Sequence, residues 1–166
     1  AIAEHARLDN LLQLNERALE VWSNLPKSET ATLRHPNYAD FEVVYAPDSW
    51  DTIKLALKDV APGTLQEIGL LSKNDEKDHF YDFWRKRVLF PIRDHRSRLV
   101  GFSGESMEAT PELKKKAGKY INTKSTPLFN KSNLLFGFGT NRKGLHTRRK
   151  LGCSGHAPHW AHKYGC

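Results

Sequence analysis

The chain has 166 residues, 39% of them hydrophobic and 27% charged, which suits one compact domain with its own core and excludes a disordered chain. No apolar run is long enough to span a bilayer, and the start AIAEHARL lacks the basic and apolar regions of a signal peptide, so a cytoplasmic location is expected, and the missing Met suggests a segment cut from something longer. The two cysteines, Cys153 and Cys166, both lie at the far C-terminus and exclude a disulfide framework. The net charge of +7 is unevenly placed: residues 1 to 84 carry 8 basic and 15 acidic side chains, while residues 85 to 166 carry 18 and 4. Halves of −7 and +14 point to an anionic partner for the second half, and polyphosphate is the commonest one.

In chain order, Leu8, Leu11, Leu12, Ala18, Leu19, Trp22 and Leu25 recur at helical spacing, and Pro26 follows, which predicts an amphipathic helix over 3 to 25. A polar connector over 27 to 40 leads to FEVVY at 41 to 45, which alternates and branches like a strand. Pro47 and Asp48 turn the chain, and Asp48 or Ser49 is placed to cap a second helix with the stripe Ile53, Ala56, Leu57 and Val60, ending before Pro62. Thr64 and Glu67 stand at capping-box spacing for a helix of one or two turns that Gly69 can stop, and SKNDEKD at 72 to 78 reads as a surface turn.

RKRVLFPIRDHRSRLVGFSG at 85 to 104 contains two apolar runs, Val88 to Ile92 and Leu99 to Phe102, which predict a hairpin turning at Asp94 and Ser97. Pro91 has no N–H to donate, so the first strand needs an edge or a bulge there. Alternation puts Arg87, Leu89, Pro91 and Arg93 on one side and Val88, Phe90 and Ile92 on the other. After Met107 periodicity is lost, through Pro111 and the run Lys114, Lys115, Lys116, until a short strand at Lys119 to Asn122. A loop over 125 to 132 contains Pro127, and NLLFGFG at 133 to 139 is apolar enough to pack back on the domain. The expected fold is α+β: a single domain with N-terminal helices, a small mixed sheet including a β-hairpin near 88 to 102, and a basic groove.

YAPDSWD at 45 to 51, YDFWRKRVLFPIRDHRSRLVGFSG at 81 to 104 and KYINTKSTPLFNKSNLLFG at 119 to 137 together resemble, in order and spacing, the bacterial-type replicative DNA primases. The resemblance is to the N-terminal part of that family's RNA-polymerase core, which precedes the metal-binding TOPRIM domain, and it implies residues 1 to 140 as that subdomain and 141 to 166 as a truncated or divergent tail. In the family this subdomain is one wall of a basic cleft that guides the single-stranded template toward the TOPRIM metals, where ribonucleotides are joined into a primer. The resemblance therefore implies single-stranded DNA and RNA primer as ligands, with TOPRIM and the replicative helicase as partners. Carried over residue by residue, it makes Lys119 and Lys131 phosphate contacts, Tyr120 a stacking face, Asn122 a contact or a turn-forming hydrogen bond, and Arg85, Arg87 and Arg93 basic groove residues. The ordinary alternative for these arginines is surface ion pairing, Arg87 with Asp82 and Arg93 with Asp94 or Glu105, and pairing is the reading favoured for Arg96 and Arg98 in the turn.

The chain also departs from the family pattern. Gly104 is followed by Glu105 where the family usually has Gly-Gly-Arg or Gly-Arg, and the family's Arg-Gly-Leu/Ile stretch before its strand is not recognisable in TLRHPNYADFE, so a further basic contact is missing or replaced by Arg34. Where the family enters the strand that ends in the first TOPRIM glutamate, this chain reads LGCSGHAPHWAHKYGC. The second half offers only Asp94, Glu105, Glu108 and Glu112 as carboxylates, so no catalytic residue, no Mg2+ site without TOPRIM and no polymerase activity from this polypeptide alone are expected. Cys153, His156, His159, His162 and Cys166 are weak zinc candidates, because five ligands crowd into one short Gly/Pro-containing segment. A second reading is a free-standing non-catalytic binder of single-stranded nucleic acid, or a primase remnant whose His/Cys tail takes up metal.

Overall fold

The computed structural model describes residues 1 to 26 and 42 to 130. Helix α1 (Ile2–Ser23) buries Leu11, Ala18, Leu19 and Trp22 of the stripe that the spacing predicts, together with Asn15, which the stripe did not include. Strand β1 (Val44–Ala46) precedes two short helices, α2 (Thr52–Ala56) and α3 (Pro62–Glu67). Strands β2 (Leu71–Asn74) and β3 (His79–Asp82) form a separate two-stranded hairpin. Strands β4 (Arg87–Arg93) and β5 (Leu99–Ser106), helix α4 (Pro111–Ala117) and strand β6 (Tyr120–Asn122) complete the described elements.

The main sheet runs β1-β4-β5-β6. The α+β class and the hairpin near 88 to 102 are as expected, but the sheet expected as mixed is antiparallel in every pairing of the described residues. The β4–β5 turn is too short for a parallel crossover, which needs a dozen residues or more. Pro91 lies beyond the stretch that β1 pairs, Arg87 to Leu89, and the register shifts between Ile92 and Arg93, so the strand has both the local edge and the bulge that a proline asks for.

The helix caps differ from expectation in two places. Neither Asp48 nor Ser49 caps α2. Its first amides, Ile53 N and Lys54 N, instead donate to the buried carboxylate of Asp82 on β3, at 2.8 and 3.1 Å. Helix α3 starts at Pro62, whose fixed φ suits the first helical position, so Thr64 lies inside the helix and forms no capping box. The segment 72 to 78 is more than a turn: residues 71 to 74 and 79 to 82 pair, and Asn74 Oδ1 accepts the amides of Glu76 and Lys77 at 3.0 and 3.2 Å.

The core lies between the helices and one face of the main sheet. Trp22 of α1 meets Phe102 of β5 edge-on at 5.3 Å, and Trp84 meets the same ring at 6.4 Å. Val44, Ala46 and Leu89 from the strands and Ile53, Leu57, Leu65, Ile68 and Leu70 from the intervening segment close around them. Trp84 lies directly over Gly104, where a Cβ would come within 2.6 Å of its ring, so this position in β5 accepts only glycine without repacking.

Candidate nucleic-acid interface

Antiparallel register fixes which expected site residues share a surface. Glu105 pairs with both Val88 and Tyr120, and Ser103 with both Phe90 and Asn122, so Tyr120 and Asn122 share the face of Val88 and Phe90. Arg87 and Leu89 point the other way, toward the helices. Backbone bonds then align one end of the sheet: Lys86 N donates to Pro47 O, Met107 N to Lys86 O, and Ser106 N to Lys119 O. Four strand ends, from the β1 exit to the β6 entry, thus form a row about 14 Å across. Arg93 ends β4 at the opposite edge, about 20 Å away along the strand.

The arginines of the hairpin are mostly engaged within the fold. Arg93, its side chain only 14% exposed, pairs with Glu16 of α1 at 2.7 Å and with Glu42 at 2.8 Å. Burial opposes its charge, but the hydrogen bonds and fields of Glu42 and Glu16 outweigh that and hold its pKa above the ordinary arginine value. Neither partner is the expected Asp94 or Glu105; α1 supplies one of them from 77 positions away. Arg98 does pair within the turn, donating to Asp94 at 2.7 Å, whereas Arg96, expected to do the same, gives Asp94 only its backbone amide at 2.9 Å and forms no ion pair among the described residues. Arg85 lies flat on the indole of Trp50, 3.3 Å from the ring centroid, and donates to Asp48 at 2.7 Å.

Arg87 is 6% exposed and is placed inside the domain rather than along its surface. Its guanidinium donates to Gly118 O at 2.8 Å and to Ala117 O, the last carbonyls of the α4 corner, and reaches Gly104 O at 3.5 Å. Desolvation lowers its pKa, and the charge persists because an arginine titrates so far above neutrality. It takes no pairing with Asp82, whose carboxylate is occupied by α2.

The corner that Arg87 supports carries four lysines without acidic partners, Lys114, Lys115, Lys116 and Lys119, and Lys124 lies at the other end of β6. Among the described residues, Lys114, Lys115, Lys116, Lys119 and Lys124 form no ion pair, whereas Arg85, Lys86, Arg93 and Arg98 all do. Lys119 Nζ lies 5.2 Å from the Tyr120 ring centroid, and Lys124 Nζ lies 5.6 Å from that of Phe83. Tyr120 donates its hydroxyl to Glu105 Oε1 at 3.4 Å, so the acidic residue that departs from the family pattern orients the tyrosine. Burial, and then the charge of Glu105, push the Tyr120 pKa up and keep the hydroxyl protonated. Asn122 is half-buried beside them on the edge strand of the described sheet.

Sequence reading named the run Lys114, Lys115, Lys116 but not helix α4 that carries it, although Pro111 at its start and Gly118 just past its end, with φ +78°, were a legible helix signature. Lys131 and the tail residues Cys153, His156, His159, His162 and Cys166 lie outside the described residues. Among the described residues no group of three or more His, Cys, Asp or Glu side chains is placed to hold a metal ion. Nor, among them, is any helix long and apolar enough to cross a membrane.

This architecture is that of bacterial primase catalytic cores. It superposes on the catalytic domain of a DnaG primase bound to single-stranded DNA with a TM-score of 0.71, at 27% identity over 84% of this chain and 47% of that one. The E. coli primase catalytic core gives a TM-score of 0.68 at 28% identity, covering 85% and 47% of the two chains. In sequence the chain is 42% identical over 144 residues to the DNA primase of Deinococcus radiodurans, covering 82% of this chain and 24% of that one. Residues 28 to 142 match the family described as the DNA primase catalytic core, N-terminal domain, and the chain belongs to that family. It spans about a quarter or less of the length of the curated primases it resembles.

Proposed function

We propose that this chain serves as the template-binding wall of a primase core during RNA primer synthesis. The observation that carries the reading is the gathering of unpaired lysines at the α4–β6 corner, beside a tyrosine held by Glu105, while Arg85, Lys86, Arg93 and Arg98 of the hairpin region are each paired with an acid. Lys119 grips phosphate, and Tyr120 offers a ring on which a base stacks. Such contacts are blind to sequence, as a template read by base pairing requires. The single-stranded DNA held by a similar primase catalytic domain supports the same ligand here. Arg85 and Lys86 lie on the same end of the sheet but are paired with Asp48 and Glu108, whereas Arg93 lies too far along β4 to join it.

On this reading the chain binds, and the chemistry would belong to a neighbouring TOPRIM domain, whose carboxylates would hold Mg2+ for nucleotidyl transfer. TOPRIM and a replicative helicase are the partners this reading implies, and the cytoplasm its compartment.

The test is the affinity of the chain for labelled single-stranded DNA over a salt series, with Lys119→Ala and Lys131→Ala alongside. The reading expects steep salt dependence, with each substitution weakening binding and reducing the slope by about 0.7. Binding that is absent, or indifferent to both lysines, overturns it.

A further inference from the structure

Among the described residues, helix α4 has no contact that explains its composition. None of its residues is buried, so it adds nothing to the core, and Leu113 is left 46% exposed. It forms because its ends are specified: Thr110 caps it by accepting Leu113 N at 3.3 Å, Pro111 opens it, Gly118 closes it, and the Arg87 guanidinium takes its terminal carbonyls from beneath. Its last turn holds Lys114, Lys115 and Lys116. Lysines there suit the helix dipole, and at consecutive positions they do not face one another, so all three charges are presented outward without a partner to neutralise them. No acidic side chain relieves them, since Glu112 at the start of α4 forms no ion pair among the described residues and Glu108 is taken by Lys86 at 3.1 Å.

We propose that Lys114, Lys115 and Lys116 form a second phosphate-binding surface, continuous with Lys119, that holds the nucleic-acid backbone on its way to or from the β6 site. This rests on the template-wall reading and adds residues to it. Consecutive helical positions point about 100° apart, so the three ammonium groups cannot converge on one phosphate and are spread to meet several on a passing strand. Lys116 and Lys119 are three residues apart, within about 10 Å, so a strand gripped at Lys119 runs directly onto the helix. The ligand is therefore the phosphodiester backbone, irrespective of base.

The experiment compares the parent chain, the triple variant Lys114→Gln/Lys115→Gln/Lys116→Gln, the matching triple arginine variant, and Lys119→Ala. Each is titrated with a short single-stranded DNA of about six nucleotides and a long one of about twenty, across a salt series. The glutamine triple should lower the salt slope on the long strand by about 2 and weaken binding roughly tenfold at low salt, while changing the short strand little. The arginine triple should bind like the parent. Because α4 buries no side chain, the melting temperature of the glutamine triple should match the parent. Should it fall, Lys115→Gln and Lys116→Gln taken singly, each lowering the slope by about 0.7, decide the matter in its place. If Lys119→Ala weakens binding and the glutamine triple does not, the α4 surface is refuted while the template reading stands. If neither has any effect on either strand, both fall. Equal losses on short and long strands would also overturn the proposal, since α4 would then be part of the first site.

Discussion

Gly104→Ala is the most exacting test of the packing beneath the proposed site. The new methyl would lie 2.6 Å from Trp84 Cζ3 and 3.0 Å from both Trp84 Cε3 and Leu89 Cδ2. Carbon atoms settle at about 3.5–4.0 Å, so the indole must retreat by about 1 Å. It has nowhere to go: Trp84 is 1% exposed, and its ring is already in edge contact with Phe83 at 4.9 Å and Phe102 at 6.4 Å. Gly104 is not among the residues with positive φ, so no backbone strain is involved and the whole effect is overpacking. Such crowding costs about 1–3 kcal/mol. Urea unfolding followed by tryptophan fluorescence should show the midpoint falling by about 1 M with the slope unchanged, for a slope of about 1–3 kcal/mol per molar. An unchanged or raised midpoint would refute the account of Trp84 as a rigid lid on β5.

Two further expectations concern buried polar groups. Arg87→Met keeps the apolar stem and removes the fork, leaving Ala117 O and Gly118 O without their donor; a loss of about 1–3 kcal/mol is expected, with hydrogen exchange accelerated at the amides of residues 119 to 122, and unchanged exchange there would show that Arg87 does not hold the corner. Burial raises the Asp82 pKa more than the amides of Ile53 and Lys54 lower it, so the native state binds that proton more tightly than the unfolded chain does. The parent's stability advantage over Asp82→Asn should therefore shrink as pH rises from about 4 through the raised value, and level off above it. A widening advantage across that window would mean that the two amides dominate.

Much of the fold was legible because its signals are local. The apolar stripe of α1, the β4–β5 runs and the Asp94–Ser97 turn each follow from residue types within a few positions, and Ser97 takes the positive φ of 63° that such a turn needs. The β2–β3 hairpin escaped because SKNDEKD is polar throughout; its pairing depends on Leu71 and Asp82 at the inner ends and on Asn74 bridging turn amides. The capping of α2 by Asp82 comes from 29 positions away, beyond the reach of any local pattern. For the arginines, charge was legible and direction was not. Arg87 and Arg85 are two residues apart, yet one is drawn inward by carbonyls of the α4 corner and the other lies on an exposed tryptophan. Lys119 and Tyr120 were placed by resemblance, and the pairing of Glu105 with Tyr120 gave structural meaning to what sequence could only record as a departure.

The contact between α1 and β5 sets an order of events during synthesis. Asn15 donates to Leu99 O across 84 positions, and Trp22 waits for Phe102 to fill its seat. At roughly 5–20 residues per second, a ribosome takes about 4–16 s to deliver β5 after α1. Through that interval α1 can rest on β1 and α2, which are made sooner, but the part of its apolar stripe that meets β5 stays uncovered. The growing chain is therefore most exposed to chaperones and to aggregation just before the arginine-rich hairpin emerges, and the hairpin's first act is to complete the core.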